Sequence, residues 1–229
     1  MILRLENIDV QRCRPEFEAG ILEDLAWLGL TWETPVVRQS ERTALYRQAL
    51  DRLQARGLIY PCRRTRREVL EGIGSAPQTG DVADERLPET FVGPLAWRLS
   101  LDAAERALGG FDRLTFEESG SSIAVDPRPA GDVILARKDL GVSYHLAVVF
   151  DDAAQGVTHV IRGVDLLPAT HVQRLLQALL GYPAPAYGHH RLLLRPDGKR
   201  YAKRDTAETL RELRAGGVTA AELRVDLGF

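Results

Sequence analysis

Three clusters of charged side chains in this sequence have the residue types needed to hold a ligand that carries both positive and negative groups. Glu6 and Asp9 follow a short alternating run at residues 2–6, and Arg162 follows a β-branched run that begins at Val157. A basic loop at residues 199–205 lies near the carboxyl end of the chain. Carboxylates pair with ammonium groups, an arginine fork pairs with a carboxylate, and clustered cations bind phosphates. In this order, the clusters suit an amino acid held by both charged ends beside ATP.

Each cluster also has an ordinary structural explanation. An arginine at the end of a strand is more often a plain surface residue, and a basic run before a helix is more often a solvated charge run. A carboxylate shortly before Pro15 is equally typical of a helix-capping turn. The argument for a site is therefore the combination of the three clusters rather than any one of them.

The stretch at residues 144–181 must position Arg162. Its pattern predicts a helix from Tyr144 to Ala154, stopped near Gly156, then a buried parallel strand at residues 157–161 and a second helix that ends at Gly181. Ligands gather beyond the carboxyl ends of parallel strands, so Arg162, with Asp165 three residues later, is a candidate anion clamp.

The remaining pattern predicts further helices and turn-rich strands. The helix at residues 15–28 has an apolar face, and Trp27 and Trp32 are expected in the core. Residues 60–140 have the character of an inserted module with antiparallel or mixed strands, a basic helix at 64–70 and a polar loop at 72–94. Helices are predicted at 15–28, 40–57, 206–215 and 219–227, and strands at 2–6, 95–101, 114–117, 132–136 and 187–194.

Composition limits the class of protein. The chain has 229 residues, is 45% apolar and has a formal net charge of −2, so a nucleic-acid partner requires local basic patches. No run reaches the roughly 18 apolar residues of a membrane helix, and no signal-peptide pattern opens the chain. Its two cysteines, Cys13 and Cys62, have no metal-ligand spacing. We therefore expect a cytoplasmic protein without a disulfide framework.

Six segments match motifs of one family in the same order. The matching motifs are LRLENID, LAWLGLTW, QSER, YHLAVVFDD, VIRGVDLL and GKRYAKRD, at residues 3–9, 25–32, 39–42, 144–152, 160–167 and 198–205. On these the chain resembles the glutamyl-tRNA synthetase branch of the class I aminoacyl-tRNA synthetases. Within that branch it resembles the short glutamyl-queuosine tRNA(Asp) synthetases, because no anticodon-binding domain follows the basic loop, which is similar to a KMSKS loop.

The resemblance implies a fold and a domain organisation. The expected fold is α/β, a Rossmann-like catalytic domain that is truncated at its N-terminus. Residues 1–59 and 141–229 are expected to be its two halves, and residues 60–140 an inserted α+β module that binds the acceptor end of a tRNA.

The resemblance also implies an activity and its residues. The expected reaction is ATP-dependent activation of glutamate, with Mg²⁺ accompanying ATP, and transfer to the queuosine base of tRNA(Asp) by a monomer. Glu6 is assigned to the α-ammonium group, Tyr144 to the same amino acid and Arg162 to its side-chain carboxylate. Lys203 is assigned to the ATP phosphates and to catalysis, with Lys199 and Arg204 beside it. A binding protein without catalysis, and an aminoacyl transferase with another acceptor, remain alternatives.

Four departures from the family pattern modify these expectations. The family's first strand and HIGH-type phosphate-binding turn have no counterpart, so the chain as written is expected to be inactive in adenylation unless that segment is restored. Cys62 is followed by arginines where zinc-binding relatives have Cys-x-Cys, so zinc is not expected. The loop at residues 200–204 lacks the family's serine. Val148 stands where some glutamyl enzymes have asparagine, which removes one polar contact.

Overall fold

A computed structural model describes residues 1–9, 12–62, 95–137, 141–194 and 209–228. The basic helix predicted at 64–70, the polar loop at 72–94 and the basic loop at 199–205 lie outside these ranges. The contacts divide the chain into two compact units: Met1–Glu41 with Leu192–Phe229, and Arg42–Arg191. Each unit is described by itself below.

The helices and strands of the described residues follow in chain order. The helices are α1 (Pro15–Trp27), α2 (Thr43–Ala55), α3 (Leu101–Leu108), α4 (Tyr144–Ala154), α5 (Leu167–Leu180), α6 (Leu210–Ala215) and α7 (Ala220–Leu227). The strands are β1 (Arg4–Leu5), β2 (Val37–Arg38), β3 (Ile59–Cys62), β4 (Ala96–Leu99), β5 (Thr115–Glu118), β6 (Ser121–Ala124), β7 (Ile134–Arg137), β8 (Gly141–Val142), β9 (His159–Gly163) and β10 (Ala186–His190). Single 3-10 turns occupy Gln39–Arg42, Arg128–Ala130 and Val164–Leu166.

The first unit combines a parallel strand pair with three helices. Strand β1 pairs with β2, placing Leu5 opposite Arg38. Helices α6 and α7 each begin with a capping box, in which a threonine and a glutamate satisfy backbone groups of the first turn. Arg214 of α6 lies 2.8 Å from Glu23 of α1. Ion pairs of this kind connect α1 to α6.

The described residues of the second unit form two four-stranded sheets. One has the order β3-β4-β7-β8 and is antiparallel throughout. The other has the order β6-β5-β10-β9, in which β10 is parallel to both β5 and β9 and the β5–β6 hairpin is antiparallel. The antiparallel or mixed pairing expected for the strands within residues 60–140 is therefore confirmed.

The helix, strand and helix predicted at residues 144–181 are present as α4, β9 and α5. Leu146 and Val149 of α4 and Leu176 of α5 are buried in the core. Strand β9 is parallel to β10, but it forms the edge of its sheet among the described strands, and Ile161 is 71% exposed. The parallel pairing was predicted correctly, but the prediction of a buried strand was wrong, because a β-branched run indicates a strand without showing which neighbours cover it.

Helix α1 occupies the predicted residues, but its apolar face is not buried. Phe17 and Ile21 are largely exposed, and none of the helix residues is classed as buried. Trp27 and Trp32 are half-buried rather than in the core. Periodicity predicted the helix correctly, and Arg214 of α6 forms ion pairs with Glu23 and Asp24 of α1.

One helix was not predicted from the sequence. The strand expected at residues 95–101 ends at Leu99, and helix α3 begins at Leu101. The Oγ atom of Ser100 accepts a hydrogen bond from the backbone N–H of Ala103, and Oδ1 of Asp132 accepts one from Leu101. The serine cap was visible in the sequence, but the contribution of Asp132 depends on tertiary contact.

Two further findings bear on the expectations above. No helix of the described ranges is long and apolar enough to cross a membrane. Residues 96–137 and 141–191 fall within the same compact unit. The assignment of residues 60–140 to an inserted acceptor-binding module remains a prediction.

Candidate functional site

Glu6 lies in the first unit, in the short segment that follows β1. Its side chain is about half exposed and lies 3.9 Å from Arg4. The neighbouring Asn7 anchors this segment, since its Oδ1 accepts a hydrogen bond from Ser40 and its Nδ2 donates to Glu18. The segment that carries Glu6 is thereby tied to the QSER motif, which contains Ser40.

Glu18 and Asp9 complete the carboxylates of this region. Hydrogen bonds from Asn7, and secondarily from Arg38, hold the pKa of the Glu18 carboxyl below its usual value despite partial desolvation. Asp9 lies 3.5 Å from Arg12, and its backbone carbonyl accepts hydrogen bonds from Arg12 and Cys13. Asp9 thus belongs to a turn that precedes α1, but no side chain caps that helix, and a role of Asp9 in the site stays a prediction.

Arg162 lies near the carboxyl end of β9, in the second unit. Its Nη2 donates a hydrogen bond of 2.6 Å to Oγ1 of Thr170 on α5, and its Nε donates one of 3.3 Å to Nε2 of His189 on β10. The guanidinium also lies over the ring of Tyr187, 5.3 Å from its centre, where a cation is attracted to the π face. Three side chains on two elements, α5 and β10, thus fix the orientation of this arginine side chain.

His189 is held in turn by Glu118. One carboxylate oxygen accepts a hydrogen bond from the backbone N–H of His189 at 2.9 Å, and the other lies 2.6 Å from its Nδ1. Burial raises the pKa of Glu118, but the hydrogen bonds from His189 outweigh that effect and the pKa lies below its ordinary value. The carboxylate is therefore ionised at neutral pH and accepts a hydrogen bond from the Nδ1–H of His189. The Nε2 atom of a neutral His189 is then an acceptor that faces Arg162.

The local sequence explains why the side chain of Glu118 reaches His189. Strand β5 ends at Glu118, where Ser119 and Gly120 have φ values of 50° and 84° and turn the chain into β6. Both central residues of such a two-residue hairpin turn require positive φ, which favours a glycine. Tyr187 pairs with Glu118 across the parallel ladder. At the end of that ladder, the side chain of Glu118 supplies the acceptor for the next backbone N–H of β10.

Tyr144 is the first residue of α4, and its ring contacts that of His145 at a centroid distance of 5.8 Å. Burial lowers the pKa of His145, and the positive charge of Arg162 lowers it further. The first turn of α4 therefore lies within the electrostatic reach of Arg162. Val148, one turn further along the same helix, is buried.

The remaining site predictions have different outcomes. Lys199, Lys203 and Arg204 lie outside the described residues, so their roles stay predictions. Glu6 belongs to the first compact unit, and Tyr144 and Arg162 belong to the second. Sequence reasoning singled out Arg162 but missed Glu118, Thr170 and His189.

No group of three or more His, Cys, Asp or Glu side chains is placed to hold a metal within the ranges that the structure describes. Cys62 is a buried free thiol and Cys13 is a half-buried one. A cavity of about 330 Å³ opens beside Thr115, Glu117 and Pro185. It is lined by none of Glu6, Tyr144 and Arg162, so we do not assign it to the site.

The family model for "tRNA synthetases class I (E and Q), catalytic domain" matches residues 1–90 and 117–221. The chain therefore belongs to the class I tRNA synthetases of the E and Q group. This agrees with the α/β architecture and with the order of the motifs.

Within that family, the chain is similar to proteins with a more specific name. It is 46% identical to the glutamyl-Q tRNA(Asp) synthetase of Rhodobacter capsulatus, with 100% of this chain and 87% of that protein covered. It is 43% identical to the glutamyl-Q tRNA(Asp) synthetase of Symbiobacterium thermophilum, over 95% of this chain and 72% of that protein. The resemblance drawn from the motifs is thereby confirmed.

A solved structure supports the fold. A glutamate tRNA ligase from Elizabethkingia meningosepticum, crystallised in complex with its amino acid, matches 89% of this chain with a TM-score of 0.69 and 27% identity. This chain spans 45% of that ligase. The α/β class I catalytic fold expected from the sequence is confirmed.

Proposed function

We propose that this protein activates glutamate with ATP and transfers it to the queuosine base of tRNA(Asp). Support comes from the similarity to proteins that bear the name of this reaction, over nearly the whole chain. The observation that carries the choice of an acidic amino acid is the placement of Arg162 at the carboxyl end of a parallel strand, where ligands of such sheets gather.

The hydrogen bonds of Arg162 leave a fork for a ligand. A guanidinium has five N–H groups, and the described residues accept from the Nε–H and from one N–H of Nη2. The two N–H groups of Nη1 and the second one of Nη2 make no hydrogen bond to the described part of the chain. A planar pair of donors of this kind matches both oxygens of a carboxylate. We assign them to the side-chain carboxylate of glutamate.

The other roles follow the family resemblance. Glu6 is proposed to bind the α-ammonium group, for which its half-exposed carboxylate has the right charge. Tyr144 is proposed to contact the same amino acid. Lys203, with Lys199 and Arg204, is proposed to bind the phosphates of ATP, and residues 60–140 are proposed to form the acceptor-binding module. Mg²⁺ is proposed to bind together with ATP, coordinated by its phosphates, and to neutralise part of their negative charge.

The reaction has two steps that balance. A carboxylate oxygen of glutamate attacks the α-phosphorus of ATP, and the bond to the bridging oxygen breaks, so that pyrophosphate leaves with both electrons. Cations in the basic loop stabilise the charge that grows on the leaving group. A nucleophilic oxygen of the queuosine base then attacks the activated carbonyl carbon, AMP leaves, and the proton of the nucleophile goes to solvent. We propose a cytoplasmic monomer as the acting form.

The test is transfer of radiolabelled glutamate to purified tRNA(Asp) in the presence of ATP and Mg²⁺. Matched tRNA(Asp) without queuosine and tRNA(Glu) are the controls. Label that appears only on queuosine-containing tRNA(Asp), and only with ATP, supports the proposal. Label on the queuosine-free control or on tRNA(Glu) overturns the assigned acceptor. Glutamate binding without transfer to any tRNA, in this chain and also in a version extended upstream by a HIGH-type segment, overturns the enzymatic proposal in favour of a binding protein.

A further inference from the structure

The side chain of an arginine has many rotamers, so contacts with other residues must fix the orientation of the Arg162 guanidinium. In this structure two side chains from different elements accept its hydrogen bonds, Thr170 on α5 and His189 on β10. The ring of His189 also lies 3.1 Å from the hydroxyl of Thr170 through the same Nε2 atom. These contacts hold the edge of the guanidinium formed by Nε and Nη2, and leave the adjacent edge, formed by Nη1 and Nη2, for a ligand.

His189 can accept from Arg162 only in one form. If its Nε2 carried a proton, two N–H donors would face each other across 3.3 Å. The Glu118 carboxylate prevents this arrangement by accepting from Nδ1, which leaves Nε2 with its lone pair in the neutral ring. The side chain of His189 is 2% exposed and stacks on Tyr187 with an interplanar angle of 9°. The ring is therefore fixed in position as well as in tautomer.

We propose that Glu118, His189 and Thr170 are positioning residues that orient the guanidinium of Arg162 for the side-chain carboxylate of glutamate and thereby set the preference for glutamate over glutamine. The proposal rests on the proposed function, in which Arg162 binds that carboxylate. Glu118 acts on the guanidinium of Arg162 only through His189. None of the three is proposed to take part in bond making or bond breaking.

A plain structural explanation makes a different prediction. If Glu118 and His189 only connect β5 to β10, their substitution lowers stability and leaves the ratio of glutamate to glutamine affinity unchanged. If they orient Arg162, the ratio falls, because a misdirected fork no longer pairs with both oxygens of a carboxylate. The preference between the two ligands therefore separates the two explanations independently of any general loss of stability.

Two amide variants of His189 test the two sides of its ring separately. In His189→Gln the amide oxygen reaches the position of Nε2 and still accepts from Arg162. In His189→Asn the amide nitrogen reaches the position of Nδ1 and still donates to Glu118, but nothing accepts from Arg162. The measurement is the Kd of glutamate and of glutamine by titration calorimetry on the full chain. The His189→Asn substitution is expected to weaken glutamate binding about 10- to 100-fold, and the His189→Gln substitution less than about threefold.

Glu118→Gln tests the tautomer. An amide that donates to Nδ1 places the proton on Nε2 and turns a donor towards Arg162, so glutamate binding is expected to fall about tenfold. Glu117→Gln is the matched control, since Glu117 is exposed on the same strand. Thr170→Val, which removes the acceptor of Nη2, and Thr170→Ser, which keeps it, provide a second pair should a His189 variant fail to fold.

The outcomes separate the two proposals. Arg162→Ala without effect on glutamate binding removes the proposed function and this inference together. A second outcome overturns this inference alone. In that outcome Arg162→Ala weakens glutamate binding, but His189→Asn matches His189→Gln, and Thr170→Val matches Thr170→Ser, in glutamate affinity and in the ratio of glutamate to glutamine affinity. The positioning role is established if His189→Asn, Glu118→Gln and Thr170→Val lose the preference for glutamate over glutamine. The matched variants His189→Gln, Glu117→Gln and Thr170→Ser must retain it.

Discussion

The Nε atom of Arg42 lies 2.8 Å from Oδ1 of Asp151, and the side chain of Asp151 is completely buried. The second oxygen accepts a hydrogen bond of 2.7 Å from the hydroxyl of Tyr46, so the carboxylate is held between the start of α2 and the body of α4. Burial of an ion is costly unless partners compensate it. This pair connects two motifs of the family, QSER and YHLAVVFDD.

Removal of Arg42 is expected to leave Asp151 as a buried charge with one donor fewer. Arg42→Ala should therefore lower the free energy of unfolding by about 3 kcal/mol, the lower end of the range for a broken buried pair, because the arginine is itself partly exposed. Urea unfolding followed by circular dichroism measures this. Arg47→Ala, on the exposed face of α2, is the control and should change stability by less than about 0.5 kcal/mol.

Tyr46→Phe removes only the second partner of Asp151. Tyr46 is almost completely buried, and burial, with the charge of Asp151, raises its pKa far above the ordinary value, so the hydroxyl is a donor at any working pH. Loss of a hydrogen bond to a charged group should cost about 1.5–3 kcal/mol. A Tyr46→Phe protein as stable as wild type would show that other groups satisfy this oxygen.

Substitutions of Arg162 test the role of the fork itself. Arg162→Ala should weaken glutamate binding by about 2–5 kcal/mol, the range for truncating one partner of a buried charge pair. Arg162→Lys keeps the charge but cannot span His189, Thr170 and a carboxylate together, so its affinity should lie well below wild type. Arg106→Ala, an exposed arginine on α3, is the matched control. Wild-type glutamate affinity in Arg162→Ala would remove Arg162 from the site.

Local sequence signals predicted the elements that carry Arg162 but not the residues that orient it. The helix α4 was predicted with its observed bounds because apolar spacing and Gln155-Gly156 are local signals. Glu118 and His189 are 71 residues apart, and their contact arises only because β10 pairs with β5. A glutamate beside a Ser-Gly turn has no local feature that indicates a partner on a later strand.

Zinc content tests a prediction made from cysteine spacing. Cys62 is followed by Arg63 and Arg64, and the only other cysteine of the chain is Cys13. Structural zinc sites commonly use pairs of closely spaced cysteines. The purified protein should therefore hold well below one equivalent of zinc and should unfold at the same temperature with and without a chelator. Stoichiometric zinc in elemental analysis would contradict this.

The last prediction concerns acid destabilisation through His171. Its Nδ1 accepts a hydrogen bond of 3.0 Å from the backbone N–H of Asp126, which requires that nitrogen to be unprotonated. Burial lowers the pKa of His171, partly opposed by the charge of Asp126. The unfolded chain thus binds this proton more tightly than the folded protein does. The stabilising contribution is fully present above the ordinary histidine pKa, about 6.5, and is lost as the pH falls through the lower folded pKa.

His171→Asn can keep the acceptor without titrating, so the fall in the urea midpoint between pH 7.5 and pH 5 should become shallower. The change in slope should be well under the ~1.4 kcal/mol per pH unit of one full proton, because the ring is only half-buried. Burial and the charge of Arg162 also lower the pKa of His145, so His145 is expected to contribute to the fall in the same direction. The slope rather than the absolute stability is decisive, since the variant also loses the edge contact of His171 with Phe116. An equal slope in His171→Asn and wild type would show that His171 does not supply this pH dependence.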